Sequence, residues 1–254
     1  MMKFAEHRGR RNPIVWLLAF AACVAVAAGL AWLWGRRLPG EPAAGVMRLV
    51  LLGQCVADAA AAPLLAGRVR CPGRVLLGVL ALVAAGSIAA IAAGLLLGGS
   101  VPAWVMLLWV ARSAAILAGF GLLLTGLTRL AERLAPRPAG EVAALGAAAL
   151  MLGTVFCANP AVSAARNGAK MALVQAAVAA NPLLCVAGSA LDYDILLSRR
   201  TPGSLYHMSL IGPDHIYRYP PWWAVAPGYA AAGGLLLALS RKRAAGNMDS
   251  GGSS

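Results

Sequence analysis

Two charged side chains stand deep inside long apolar runs, Asp58 in 46–65 and Arg112 in 101–127. An unpaired charge at the centre of a membrane helix costs about 2.5 to 3.5 kcal/mol, so each needs a partner or water. Counted from the ends of their helices on one side, Asp58 lies about 12 residues in and Arg112 about 11, a depth difference of about 2 Å. The spacing predicts that Asp58 and Arg112 pair across two helices, either to fix register or to line a transport path. Gln54, four residues before Asp58, shares its helix face. A second polar group, Asp192, Asp194, His207, Asp214 and His215, has the residue types for metal binding or acid/base work. Its spacing matches no ligand pattern, and exposed residues of an interfacial loop are the plainer expectation. No catalytic residue, metal or cofactor is assigned. With no GxxxxGKS/T phosphate loop, HExxH, GxSxG or CxxC, the chain is not expected to be an enzyme, and energy for transport would come from a partner or an ion gradient.

These residues are positioned by apolar sequence. The chain is 60% hydrophobic and 12% charged, more apolar than a soluble core of 254 residues can absorb. The expected fold is all-α: one polytopic domain over 1–245, with transmembrane helices at 14–34, 46–65, 75–97, 101–127, 142–158 and 222–239, then a disordered Gly/Ser-rich tail at 246–254. Gly86, Ala90, Gly94 and Gly98 recur every fourth residue and make a close-packing stripe. Before the last span lies an outer segment, 160–221. Within it the apolar run 171–191 is interrupted by Asn181-Pro182, where proline removes a backbone donor and breaks the helix. This predicts a re-entrant pair of half-helices, packed against other helices because broken backbone at membrane depth needs protein or water around it. Tyr206, Tyr217, Tyr219, Trp222 and Trp223 read as interfacial anchors.

The formal net charge of +13 suggests nucleic acid in a soluble protein, but here Lys and Arg cluster at the ends of apolar runs, where they set orientation. Six spans with both termini in the cytoplasm place thirteen Lys/Arg inside and eight outside, counting Arg48 at the outer end of its span. A seven-span alternative, in which 171–191 crosses fully, gives the same division, so charge does not separate the two. The break at Asn181-Pro182 and the cluster Arg241-Lys242-Arg243 directly after the last run favour six. The expected setting is a bacterial cytoplasmic membrane, with lipid as a partner and no nucleic acid.

Taken together, the layout resembles the membrane subunit of type-2 ABC exporters. The resemblance covers most of the chain. It is carried by the short basic loop with Arg68, Arg70 and Arg74 after the second span, the broken segment 171–191 before the last, and GLLLTGLTR over 121–129. It implies a cytosolic ATPase subunit docking on the loop 67–74, an assembly of two membrane and two nucleotide-binding subunits, and export driven by that partner's ATP hydrolysis. The chain departs from the family in its N-terminal segment, only about a dozen residues long before the first span. Other readings of the same residues are a non-transporting membrane scaffold, an outer-face enzyme acting on a lipid-linked substrate, and an ion-coupled carrier.

Overall fold

The computed structural model describes residues 42–69, 71–96, 101–134, 137–194, 196, 211 and 217–249. The expected first span, 14–34, lies outside them, as do Arg70, Gly98, Tyr206, His207, Asp214 and His215. Among the described residues every regular element is helical. In chain order these are α1 (Pro42–Arg68), α2 (Pro72–Leu96), α3 (Ala103–Leu134), α4 (Arg137–Leu152), α5 (Thr154–Cys157), α6 (Asn159–Ala164), α7 (Asn167–Ala180), α8 (Pro182–Leu184), a π-helical turn (Cys185–Ala190) and α9 (Trp222–Asp249). Four stretches are long and apolar enough to cross a bilayer: Ala44–Gly67, Gly73–Leu95, Ala103–Leu134 and Trp222–Ser240. Two further candidates are bent, Ala139–Leu152 with Thr154–Ala164 by 73° and Gly168–Ala180 with Pro182–Ala190 by 78°. Over the described residues the protein is therefore an all-helical membrane protein with four candidate spans, or up to six if each bent pair is one span.

Two boundaries differ from expectation. The span expected over 142–158 breaks early, at Gly153, and Asn159-Pro160 opens α6 instead of ending the span. Proline is tolerated in a helix's first turn, where its missing N–H has no intrahelical acceptor to serve. At the other end α9 runs on to Asp249, into the stretch expected as a disordered tail. Arg241-Lys242-Arg243-Ala244-Ala245 are good helix formers with no proline among them, so a helix already nucleated in α9 propagates through them.

Small residues set the register of the bundle. A β-carbon on Gly86 would come within 2.2 Å of the Gln54 side chain, and one on Gly94 within 2.6 Å and 2.9 Å of the Met47 and Met106 sulfurs. One on Gly121 would come within 2.4 Å of Val79. Hence α2 runs antiparallel to both α1 and α3, and the stripe Gly86, Ala90, Gly94 lies in the seam. Between α3 and α9, the most extensive helix pair, the pattern is different. Gly119 faces the Ala226 carbonyl and Gly126 the Gly233 carbonyl, so the numbers rise together and the two helices run parallel. Their backbones approach closely because the facing positions carry no side chain.

At one end of the bundle α1, α3 and α9 begin. At the other lies the turn from α1 to α2, where Gly67 meets Glu141, Gly140 packs on Glu132 and Arg129 donates to the Val69 carbonyl.

Candidate functional site

The interrupted stretch 167–194 collects the polar chemistry of the molecule. Both of its limbs touch the short segment ahead of α9. The Gln175 side chain exchanges hydrogen bonds with the backbone of Arg218. On the returning limb a β-carbon on Gly188 would enter the Tyr219 ring, and the Ser189 hydroxyl donates to the Pro220 carbonyl. The tip between the limbs meets residues further along α9 and the broken end of α4. Tyr229 Oη donates to the Ala179 carbonyl at 3.1 Å, and Asn181 Nδ2 to the Leu152 carbonyl at 2.7 Å.

A helix broken away from water leaves carbonyls and N–H groups that need new partners. Asn181, fully buried, supplies two of them: Oδ1 accepts from the Leu184 N–H at 3.0 Å, capping α8, while Nδ2 serves Leu152. Thr154 Oγ1 donates to the Ala177 carbonyl at 2.9 Å and Tyr229 Oη to the Ala179 carbonyl, so two carbonyls in the last turn of α7 are answered by side chains. Asn181 and Pro182 are thus the break that the sequence predicts. Asn181 is also the fastener between the two bent pairs. Thr154 and Tyr229, which complete the fastening, escape sequence reasoning because each lies in an apolar run and reads as core.

Arg112 does not meet Asp58. Its Nη1 lies 3.6 Å from Asp192 Oδ2 on the returning limb. The reason is register. With Met47 and Met106 both on Gly94, Asp58 comes level with about residue 117, so Arg112 sits about five residues, roughly 7 Å, toward the end where α3 begins. Asp58 remains 2% exposed, and neither carboxylate oxygen has a hydrogen-bond partner among the described residues. Gln54 donates to the Val83 carbonyl at 2.9 Å, which fastens α1 to α2.

Around Arg112 the same end of the bundle holds Arg48, whose guanidinium carbon stands 4.8 Å from the ring centre of Trp109 and 5.2 Å from that of Tyr193. Being six residues into a helix, Arg48 reads from sequence as an ordinary interfacial arginine. Its position between two rings needs the fold. Asp194 is not a freely exposed loop residue. It accepts from Tyr217 Oη at 2.8 Å, Tyr219 Oη at 2.8 Å and the Leu196 N–H at 3.0 Å. The two rings pack edge to face, 5.5 Å between centres. Burial, and then the Asp194 carboxylate beside them, push both phenols well above the usual tyrosine range. Of the expected interfacial aromatics, Tyr217 and Tyr219 therefore turn inward, Trp222 is half-buried against the core and Trp223 is exposed.

In the loop expected to contact an ATPase, Arg68 closes α1, Arg70 lies outside the described residues and Arg74 is exposed on α2. Cys71 beside it is exposed, and the backbone N–H groups of Arg74 and Gly73 hold its thiol below the usual range. Among the described residues no three His, Cys, Asp or Glu side chains gather as metal ligands. The chain matches no family model, no curated protein and no solved structure.

Proposed function

We propose that this chain is the permease subunit of an export system of the type-2 ABC layout. It has six spans counting 14–34, a re-entrant hairpin over 167–194, and termini in the cytoplasm of a bacterial cell. One observation carries the reading: α3 and α9 run parallel, while both limbs of the hairpin return to the segment 217–220. Parallel spans require the chain between them to come back to the side on which α3 began. One bent pair then crosses and the other re-enters. The seven-span arrangement needs α9 antiparallel to α3. The limbs' shared contact with 217–220 and the tip's contact with Tyr229 favour 167–194 as the pair that re-enters. Lys and Arg at the turn from α1 to α2 and at the end of α3 favour the cytosolic side for that end of the bundle, where the loop 67–74 would offer an ATPase partner its contact. Fixed in this way, the spans on either side of the hairpin move together when the loop is levered.

The reading predicts that mild detergent extraction of the native protein brings with it, in fixed ratio, a cytosolic protein carrying a phosphate loop. Combined replacement of Arg68, Arg70 and Arg74 by Ser removes that protein while the membrane subunit keeps its thermal stability. Reproducible absence of such a partner from intact preparations contradicts export and leaves a membrane scaffold.

A further inference from the structure

Positive charge at the end where α1 and α3 begin is only partly answered. Arg48 and Arg112 both reach the segment 192–193, Arg48 by stacking on Tyr193 and Arg112 through Asp192. Each arginine keeps a buried Nε with no acceptor among the described residues. The carboxylate that faces Arg112 is held loosely. Asp192 is 70% exposed, its 3.6 Å contact is longer than a hydrogen bond, and at φ 50 it is the one non-glycine residue with positive φ among the described residues. Left-handed backbone at a non-glycine residue is strain, and strain of this kind gathers at binding and switch positions. An exposed carboxylate on a strained residue anchors little. It does occupy the place that an incoming anion takes.

We propose that Arg48 and Arg112 form a binding site for an anionic phosphate group, borne on a lipid headgroup or free in solution, with Asp192 filling it when no ligand is bound. A guanidinium offers planar, paired N–H donors that match phosphate oxygens. Trp109 and Tyr193 lie against the Arg48 guanidinium, and a cation held by rings keeps N–H donors for a ligand. Trp109 precedes Arg112 by one helical turn, so the two arginines converge on one face of α3. The parallel register with Gly119 on Ala226 sets Arg112 level with Tyr219, just ahead of the start of α9. The site does not rest on the export reading and serves a scaffold equally.

The test is thermal unfolding of the full chain in mild detergent, titrated separately with dioleoylphosphatidylglycerol, dioleoylphosphatidylcholine and inorganic phosphate. Saturable stabilisation by an anionic probe, with phosphatidylcholine inert, is expected. Arg112→Gln and Arg48→Gln should each weaken the apparent affinity by about tenfold, the loss of a charge-assisted hydrogen bond. Asp192→Asn should tighten it by about two- to fivefold, as a competing exposed carboxylate goes. Opposite responses of Asp192→Asn and Arg112→Gln are the signature of displacement. A purely structural ion pair instead lowers basal stability in both variants and leaves the anion response unchanged, which overturns the proposal. Should Arg112→Gln fail to fold, Asp192→Asn decides alone, since its side chain is exposed: an unchanged or weaker anion response overturns the site. Competition by inorganic phosphate identifies a free anion as ligand, and a response to phosphatidylglycerol alone identifies the headgroup. No saturable response to either overturns it.

Discussion

Asp58 shows how much a single side chain depends on register. Paired with Arg112, it would cost about 3 to 5 kcal/mol to remove. Left without a hydrogen-bond partner among the described residues, it is a buried carboxyl group the fold tolerates, and Asp58→Asn should keep or raise thermal stability in detergent. A clear fall would restore the pairing with Arg112. Asn181 makes the opposite prediction. Its side chain answers one orphan N–H and one orphan carbonyl, so Asn181→Ala should lower stability by about 1 to 3 kcal/mol. Loss of this size in thermal unfolding checks it. Tyr217 and Tyr219 supply a pH dependence whose sign follows from burial. The unfolded chain ionises its tyrosines near pH 10, whereas these two hold their protons longer in the folded state. The folded chain then binds more protons above that pH, so their contribution is complete below about pH 10 and is lost as pH rises through the higher folded values. Phenolate absorbance in an alkaline titration should lag for these two rings until the protein unfolds. Tyr217→Phe with Tyr219→Phe should shrink the lagging absorbance by two rings, and simultaneous ionisation of all tyrosines near pH 10 in the unaltered protein contradicts it.

At the scale of elements, the long apolar runs were legible because length and hydropathy alone mark a span, and the Asn181-Pro182 break because proline removes a backbone donor in mid-run, although Pro63 and Pro227 sit inside α1 and α9 without ending them. Gly86, Ala90 and Gly94 were legible as a packing face from their spacing. Register was not: nothing in the run 101–127 says that Gly119 and Gly126 meet α9, or that Met106 sits beside Met47. The mistaken Asp58–Arg112 pair follows from that gap, since depth counted from helix ends differs from depth set by packing. Asp192 and Asp194 appeared as similar loop carboxylates, two residues apart. One is half-buried under two tyrosines and the other exposed against an arginine, a difference only the fold creates. The α3–α9 seam carries its own prediction. A leucine at Gly126 or Gly233 would meet backbone at 2.6 Å, so either substitution should cost about 1 to 3 kcal/mol or more and loosen the last helix. Gly228→Ala, where nothing stands within 4 Å, should be neutral or better. Equal thermal stability of Gly126→Leu and Gly228→Ala would remove the close parallel packing from the account.

For the whole molecule, the hairpin is what joins the parts. It binds its own broken backbone to α4 and α9 through Asn181, Thr154 and Tyr229, and presents Asp192 to Arg112. Its topology can be read in intact cells with a membrane-impermeant maleimide, using three otherwise cysteine-free versions of the chain. One keeps Cys71, whose thiol is exposed and held below the usual range by the neighbouring N–H groups. The others carry Gly168→Cys, at the start of the descending limb where nothing crowds a side chain, or Asp192→Cys, at the end of the returning limb. A re-entrant hairpin predicts that the cysteines at 168 and 192 label from the same, outer side, while Cys71 labels only after the membrane is opened. Labelling of 168 and 192 from opposite sides would make 167–194 a full span and contradict the account.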